Sequence, residues 1–158
     1  MIYVWRIGVE TATYKANDTS GLGAKNTGGR WNRIGTALVY TSSSRALACL
    51  ETTVHLNTLT LPLNRYLVRF DIPDNIWKKR ETLLADKIDV GWDALPPGQT
   101  SLDIGDKWVT ENRSCLLEVP SVIIPEELNI LINPAHPDAK AITATTVRKW
   151  LYDTRFSQ

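Results

Sequence analysis

Cysteine is almost missing from this 158-residue chain: Cys49 and Cys115 are the only two, and they lie far apart. That excludes a disulfide framework. With only His55 and His136 beside them, no CxxC or paired-histidine spacing suggests zinc either. No apolar run approaches the roughly 20 residues that cross a bilayer. Neither sign of charge dominates, with 18 basic against 17 acidic residues, so no global field draws the chain to nucleic acid or anionic lipid. The start, MIYVWRIGVE, lacks the layout of a signal peptide. Also missing are a GxxxxGK[ST] loop, a GxGxxG turn after a strand and a GxSxG elbow. A metal-free, cytoplasmic protein of one domain, 1–158, without repeat or linker, is the expectation.

What is present is aromatic and alternating. Six tryptophans (5, 31, 77, 92, 108 and 150) serve core packing, with a share available to line a ligand cleft. Residues 2–7 (IYVWRI) and 37–41 (ALVYT) read as strands, with an irregular loop over 9–27 between them. Ser42, Ser43 and Ser44 are N-cap candidates for a helix over 45–56. From 65 to 72 the chain alternates, with Tyr66, Val68, Phe70 and Ile72 on one face. A short helix is expected within 75–84, and Pro96, Pro97, Gly98 and Gly105 mark a loop. Residues 115–119 and 122–124 read as strand broken at Pro120, 128–133 as strand, and 147–156 as an edge strand or short helix. The sum is an α+β fold, with a mixed, mostly antiparallel β-core and short helices.

The segment from Gly28 to Glu51 places three chemically useful side chains on three consecutive elements. On a helix starting at Arg45, Leu47, Leu50, Glu51 and Val54 share a face, so Glu51 lies on or beside the buried stripe. Such a carboxylate is paired, hydrogen-bonded or directed into a cleft. An ion pair with Arg30, Arg33 or a later basic residue is one reading; a cleft carboxylate that stabilises developing positive charge is the other. His55 follows at i+4, either as a structural histidine or as a partner for Glu51. Arg30 follows two glycines, which suits an anion site or simply a turn with a surface arginine. Trp31 either stacks on a ligand or plugs the core. Tyr40 is either a half-buried aromatic or a ring stacked on a flat ligand with its hydroxyl at the cleft mouth. Ser121 follows Pro120 and is structural, or presents its hydroxyl inward. With so few histidines to act as base, a serine hydrolase is poorly supported.

Taken together, GLGAKNTGGRWNRIG (21–35), LVYTSSSRALACLET (38–52), VPSVIIPEELNILINPAHPD (119–138) and WLYDTRF (150–156) resemble the RES-domain family. These are the toxin halves of bacterial toxin–antitoxin pairs with an Xre-type antitoxin. The resemblance covers nearly the whole chain and is weakest over 73–110. It implies an ADP-ribosyltransferase-like fold and an activity that consumes NAD as substrate, with no further cofactor. Arg30, Tyr40, Glu51 and Ser121 match the family's active-site residues. The roles implied are phosphate anchoring by Arg30, packing on nicotinamide by Tyr40, charge stabilisation by Glu51 and a further hydrogen bond from Ser121. Trp31 stands next to the anchor. The implied partner is an Xre-type antitoxin with a helix-turn-helix part, and a homodimer is compatible with the sequence without being visible in it.

The chemistry of the residues agrees with that expectation. Nicotinamide leaves NAD as a neutral molecule, so no general acid is needed, whereas an oxocarbenium-like transition state calls for a carboxylate. The acceptor stays open between water, phosphate and a protein side chain. Transferases that modify arginine usually carry a second glutamate two residues before the catalytic one; Cys49 occupies that position here, which favours NAD breakdown over protein modification. An RNA-directed or purely interacting module is the competing class. It is weakened by the balanced charge and by the distance in sequence between the two histidines.

Overall fold

A computed structural model describes residues 1–56 and 59–157. One seven-stranded sheet organises the chain, in the order β4-β5-β6-β2-β1-β3-β7. Its strands are β1 (Ile2–Val9), β2 (Val39–Ser42), β3 (Arg65–Ile72), β4 (Glu81–Thr82), β5 (Leu116–Pro120), β6 (Leu128–Ile132) and β7 (Thr143–Trp150). Neighbours are antiparallel except β4 and β5. The helices are α1 (Leu22–Thr27), α2 (Arg45–Thr53), α3 (Asp74–Trp77) and α4 (Gln99–Glu111). The expected α+β class, with a mostly antiparallel sheet and short helices, is the class observed. No helix among the described residues is long and apolar enough to cross a membrane.

The alternation over 65–72 matches β3 residue for residue, with Val68, Phe70 and Ile72 fully buried. These residues join Val4, Val39, Leu116, Ile130 and Ile132 in a core on one face of the sheet. The opposite face is divided. Over β5, β6 and β2 lies a tryptophan-rich core of Trp31, Trp92, Trp108, Leu38, Leu117, Val119 and Leu131. Over β1 and β3 lies a smaller core of Ile7, Leu67 and Ala48, flanked by Trp5, Cys49 and Trp150. Burial of these side chains stabilises the fold by about 1.5–3 kcal/mol for each large aliphatic or aromatic residue.

Several local expectations are corrected. The loop over 9–27 contains α1. The helix within 75–84 shrinks to the four residues of α3, followed by β4 pairing with β5. The largest miss is α4, thirteen residues long, where Gly105 suggested a loop. Its buried positions are Ser101, Gly105 and Trp108, so two of the three are small residues and the hydrophobic period is faint. Gly105 sits where a Cβ would come within 1.6 Å of the Trp31 carbonyl oxygen. The glycine is there for helix-to-backbone contact and not for a turn.

Helix α2 opens where expected, with the Ser44 hydroxyl accepting from the Leu47 N–H at 3.1 Å. It closes three residues early. Thr52 and Thr53 donate their hydroxyls to the carbonyls of Cys49 and Leu50, three residues back, which offers the last turn another partner. Residues 122–124 are not a strand. β5 ends at Pro120, and Ser121 begins a turn into β6. In the tail the edge-strand alternative holds as β7, which begins at Thr143, and a 3-10 turn covers Thr154–Ser157.

Candidate active site

Strands β1 and β2 are sheet neighbours but pair at a single position, Trp5 opposite Ser42. On either side the pairing is extensive: β1 matches β3 over its full length, and β2 matches β6 from Val39 to Ser42. The sheet therefore parts between β1 and β2, on the face where its two smaller cores leave a gap. A cleft of about 230 Å³ occupies that gap, lined by Trp5, Ile7, Tyr40, Ser42, Ala48, Glu51, Thr52 and Asn129 among others. The volume is below the roughly 300–1,000 Å³ of a pocket for a drug-sized ligand, so it suits one end of a long substrate.

Glu51 stands at this cleft from α2, half-buried. Its Oε1 accepts a hydrogen bond from Asn129 Nδ2 at 2.7 Å. The amide of Asn129 is fixed in turn, because its Oδ1 accepts from the Ser42 hydroxyl at 2.7 Å. Ser42 and Asn129 are register partners on β2 and β6, so the sheet itself sets this contact. The ion-pair alternative for Glu51 is not realised with Arg33, which pairs with Asp103 and Asp106 on α4. His55 is exposed in the turn after α2.

Tyr40 lines the cleft with its ring, but its hydroxyl points away from the mouth. The phenol donates to Asn32 Oδ1 at 2.6 Å and accepts from the Trp31 backbone N–H at 3.0 Å. Burial pushes its ionisation well above the usual tyrosine range. The close approach explains Gly29, where a Cβ would meet the Tyr40 hydroxyl at 2.6 Å.

Arg30 carries out a task that its sequence context did not reveal. One of its terminal nitrogens, Nη1, donates to the carbonyls of Trp92 and Ala94, both at 2.9 Å, and so ties the 92–94 segment to the glycine turn. Burial lowers its pKa, opposed by the negative charges of Asp93 and Glu51 and by Tyr40, which places Glu51 within its electrostatic reach. Trp31, expected beside a ligand, is only 2% exposed and stacks on Trp92 with ring centroids 6.2 Å apart. It is the core plug of the two alternatives. Ser121 is fully buried at the end of β5, where its hydroxyl accepts from the N–H groups of Ile123 and Ile124. It does not line the cleft.

The fold thus brings Glu51 and Tyr40 together at the cleft, keeps Arg30 within electrostatic range, and leaves Trp31 and Ser121 in packed surroundings. Asn129 and Ser42 are the site residues that sequence reasoning missed. An asparagine in the otherwise aliphatic strand LNILI was the available signal. Cys49 also takes on a different meaning. It lies two residues before Glu51 on a helix and packs beside Trp5 and Trp150, so it faces the small core and not the cleft.

The geometry defines an α+β fold with a small cleft at a split in its sheet and one carboxylate presented there. The chain belongs to the RES domain family, whose model matches residues 3–155. It is 59% identical over 151 residues to a protein of Sphingobium sp. (strain YBL2) named "Prs ADP-ribosylating toxin", covering 96% of this chain and 94% of that one. It is 38% identical to a "Toxin Res" of Photorhabdus laumondii over 79% of this chain and 78% of the relative. A "Toxin Res" of Pseudomonas putida is 32% identical over 87% of this chain and 88% of the relative.

Proposed function

We propose that the chain is a toxin that consumes NAD by breaking its nicotinamide–ribose bond, with Glu51 as the charge stabiliser. The observation that carries this reading is the Glu51 carboxylate, held by the neutral amide of Asn129 at the opening between β1 and β2. Held by an amide and not by a cation, it keeps its charge available for a substrate. The C1′–N bond of the nicotinamide ribose breaks with its electron pair passing to the ring nitrogen, which becomes neutral. Positive charge grows at C1′, where Glu51 stabilises it. An acceptor oxygen or nitrogen then bonds to C1′ and releases its proton to solvent. The Tyr40 ring would pack against nicotinamide, and Arg30 would draw the pyrophosphate. Ser121 acts in this scheme only by holding the end of β5.

For the acceptor we favour a protein side chain, so that the reaction is ADP-ribosyl transfer. The 59% identity to a Prs ADP-ribosylating toxin over almost the full length of both chains supports it. Hydrolysis or phosphorolysis of NAD is the second reading, supported by a cleft whose polar lining offers a single carboxylate. An antitoxin, of Xre type by the sequence resemblance, is the proposed partner, and NAD the proposed substrate in the cytoplasm.

The test is incubation of the purified chain with NAD, following free nicotinamide and the mass of the ADP-ribosyl product with and without a Prs protein. Glu51→Gln removes the charge and keeps the shape; nicotinamide release should fall about a hundred- to thousandfold. Full release by a folded Glu51→Gln variant would overturn the assignment. Modified Prs marks a transferase, and free ADP-ribose or its phosphate marks NAD breakdown.

A further inference from the structure

We infer that Asn129, oriented by Ser42, is the positioning residue that sets the catalytic carboxylate of Glu51; this rests on the NAD-consuming reading above. The three side chains form a directed relay across three elements. The Ser42 hydroxyl on β2 donates to Asn129 Oδ1 on β6, and Asn129 Nδ2 donates to Glu51 Oε1 on α2, each at 2.7 Å. The direction of each bond follows from the chemistry. A carboxylate only accepts, so the amide must offer its NH2 to Glu51, and its oxygen must then face Ser42. With the hydroxyl hydrogen used on that oxygen, a flipped amide would set its oxygen against the carboxylate. The acceptor-only carboxylate thus selects the amide orientation, and the Ser42 hydroxyl holds the amide there by donating to its oxygen.

The relay controls more than the amide. Glu51 sits in the last turns of a nine-residue helix whose end is already shortened by Thr52 and Thr53, and the side chain has three rotatable bonds. Asn129 is anchored in the sheet, with β5 on one side and β2 on the other, opposite Val119 and Ser42. The relay thus ties a side chain near the end of α2 to a strand paired on both sides. With Oε1 held, the second oxygen of Glu51 is the one left for a substrate ribose. Charge-assisted bonds of this kind are strong and fix one geometry, which is what an electrostatic stabiliser requires.

Asn129→Asp tests this directly, because it keeps the volume and replaces the donor by a second acceptor. It should lower kcat for nicotinamide release by about ten- to a hundredfold, the equivalent of one hydrogen bond to a charged group, with KM for NAD changed less than threefold. Ser42→Ala should lower kcat by a smaller factor, and Ser42→Thr, which restores the hydroxyl, should recover it. A merely structural asparagine would leave kcat intact in Asn129→Asp or move it only as far as the melting temperature falls. Full kcat in a folded Asn129→Asp variant, with Glu51→Gln inactive, overturns the relay alone. Full activity in both overturns the function proposed for the cleft.

Discussion

The Tyr40 hydroxyl donates to Oδ1 of Asn32 at 2.6 Å, and this bond pins the 28–32 turn to strand β2. Asn32 is fully buried and donates from Nδ2 to the carbonyls of Ala24 and Thr36 at 2.9 Å. One side chain thus gathers α1, the turn and the segment that leads into β2. Tyr40→Phe keeps the ring that lines the cleft and leaves Asn32 Oδ1 and the Trp31 N–H without this partner. A loss of about 1–3 kcal/mol in urea unfolding is expected. Unchanged stability would show that the turn closes without the phenol.

Arg30 gives a second test, because its contacts and its proposed role differ. Arg30→Ala removes both bonds to the 92–94 segment, so hydrogen exchange in that segment should quicken. The apparent affinity for NAD should fall as well. Faster exchange with unchanged affinity would make Arg30 a strap for the loop and nothing more.

Gly105→Ala adds one methyl group at 1.6 Å from the Trp31 carbonyl oxygen. Either α4 or the tryptophan-rich core must shift. Destabilisation of about 3 kcal/mol or more is expected, measured by denaturant unfolding. A small effect would mean that α4 rides loosely on the sheet.

Cys115 is 3% exposed, and burial pushes its thiol up to about 12. The raised value means the neutral thiol is favoured in the folded chain. Its contribution to stability is complete below the unfolded thiol range, near 8.5, and is lost as pH rises toward 12. At pH 9 iodoacetamide should label Cys115 slowly in the native protein and rapidly in urea. Equal rates would show that the core opens readily at β5.

The elements that could be read in advance are those whose pattern is local. β3 alternates because one face meets the core, and Ser44 caps α2 because the hydroxyl finds an N–H three residues on. α4 was unreadable for a tertiary reason: its packed stripe uses Ser101 and Gly105 to approach another backbone, and small residues carry little hydrophobic signal. In the site, Glu51 stood out by helical spacing alone. Asn129, 78 residues away, did not, since only pairing of β6 with β2 brings it there.

By itself the sequence determined the α+β class, the main strands, the carboxylate on α2 and the family resemblance, because periodicity, caps and local motifs are written between near neighbours. Tertiary structure decided where β1 and β2 part and that Asn129 and Ser42 hold Glu51. It also decided that Trp31 and Ser121 are buried, and that Arg30 grips the Trp92 and Ala94 carbonyls. Each of these depends on sheet order and on contacts between distant segments, which no spacing along the chain encodes.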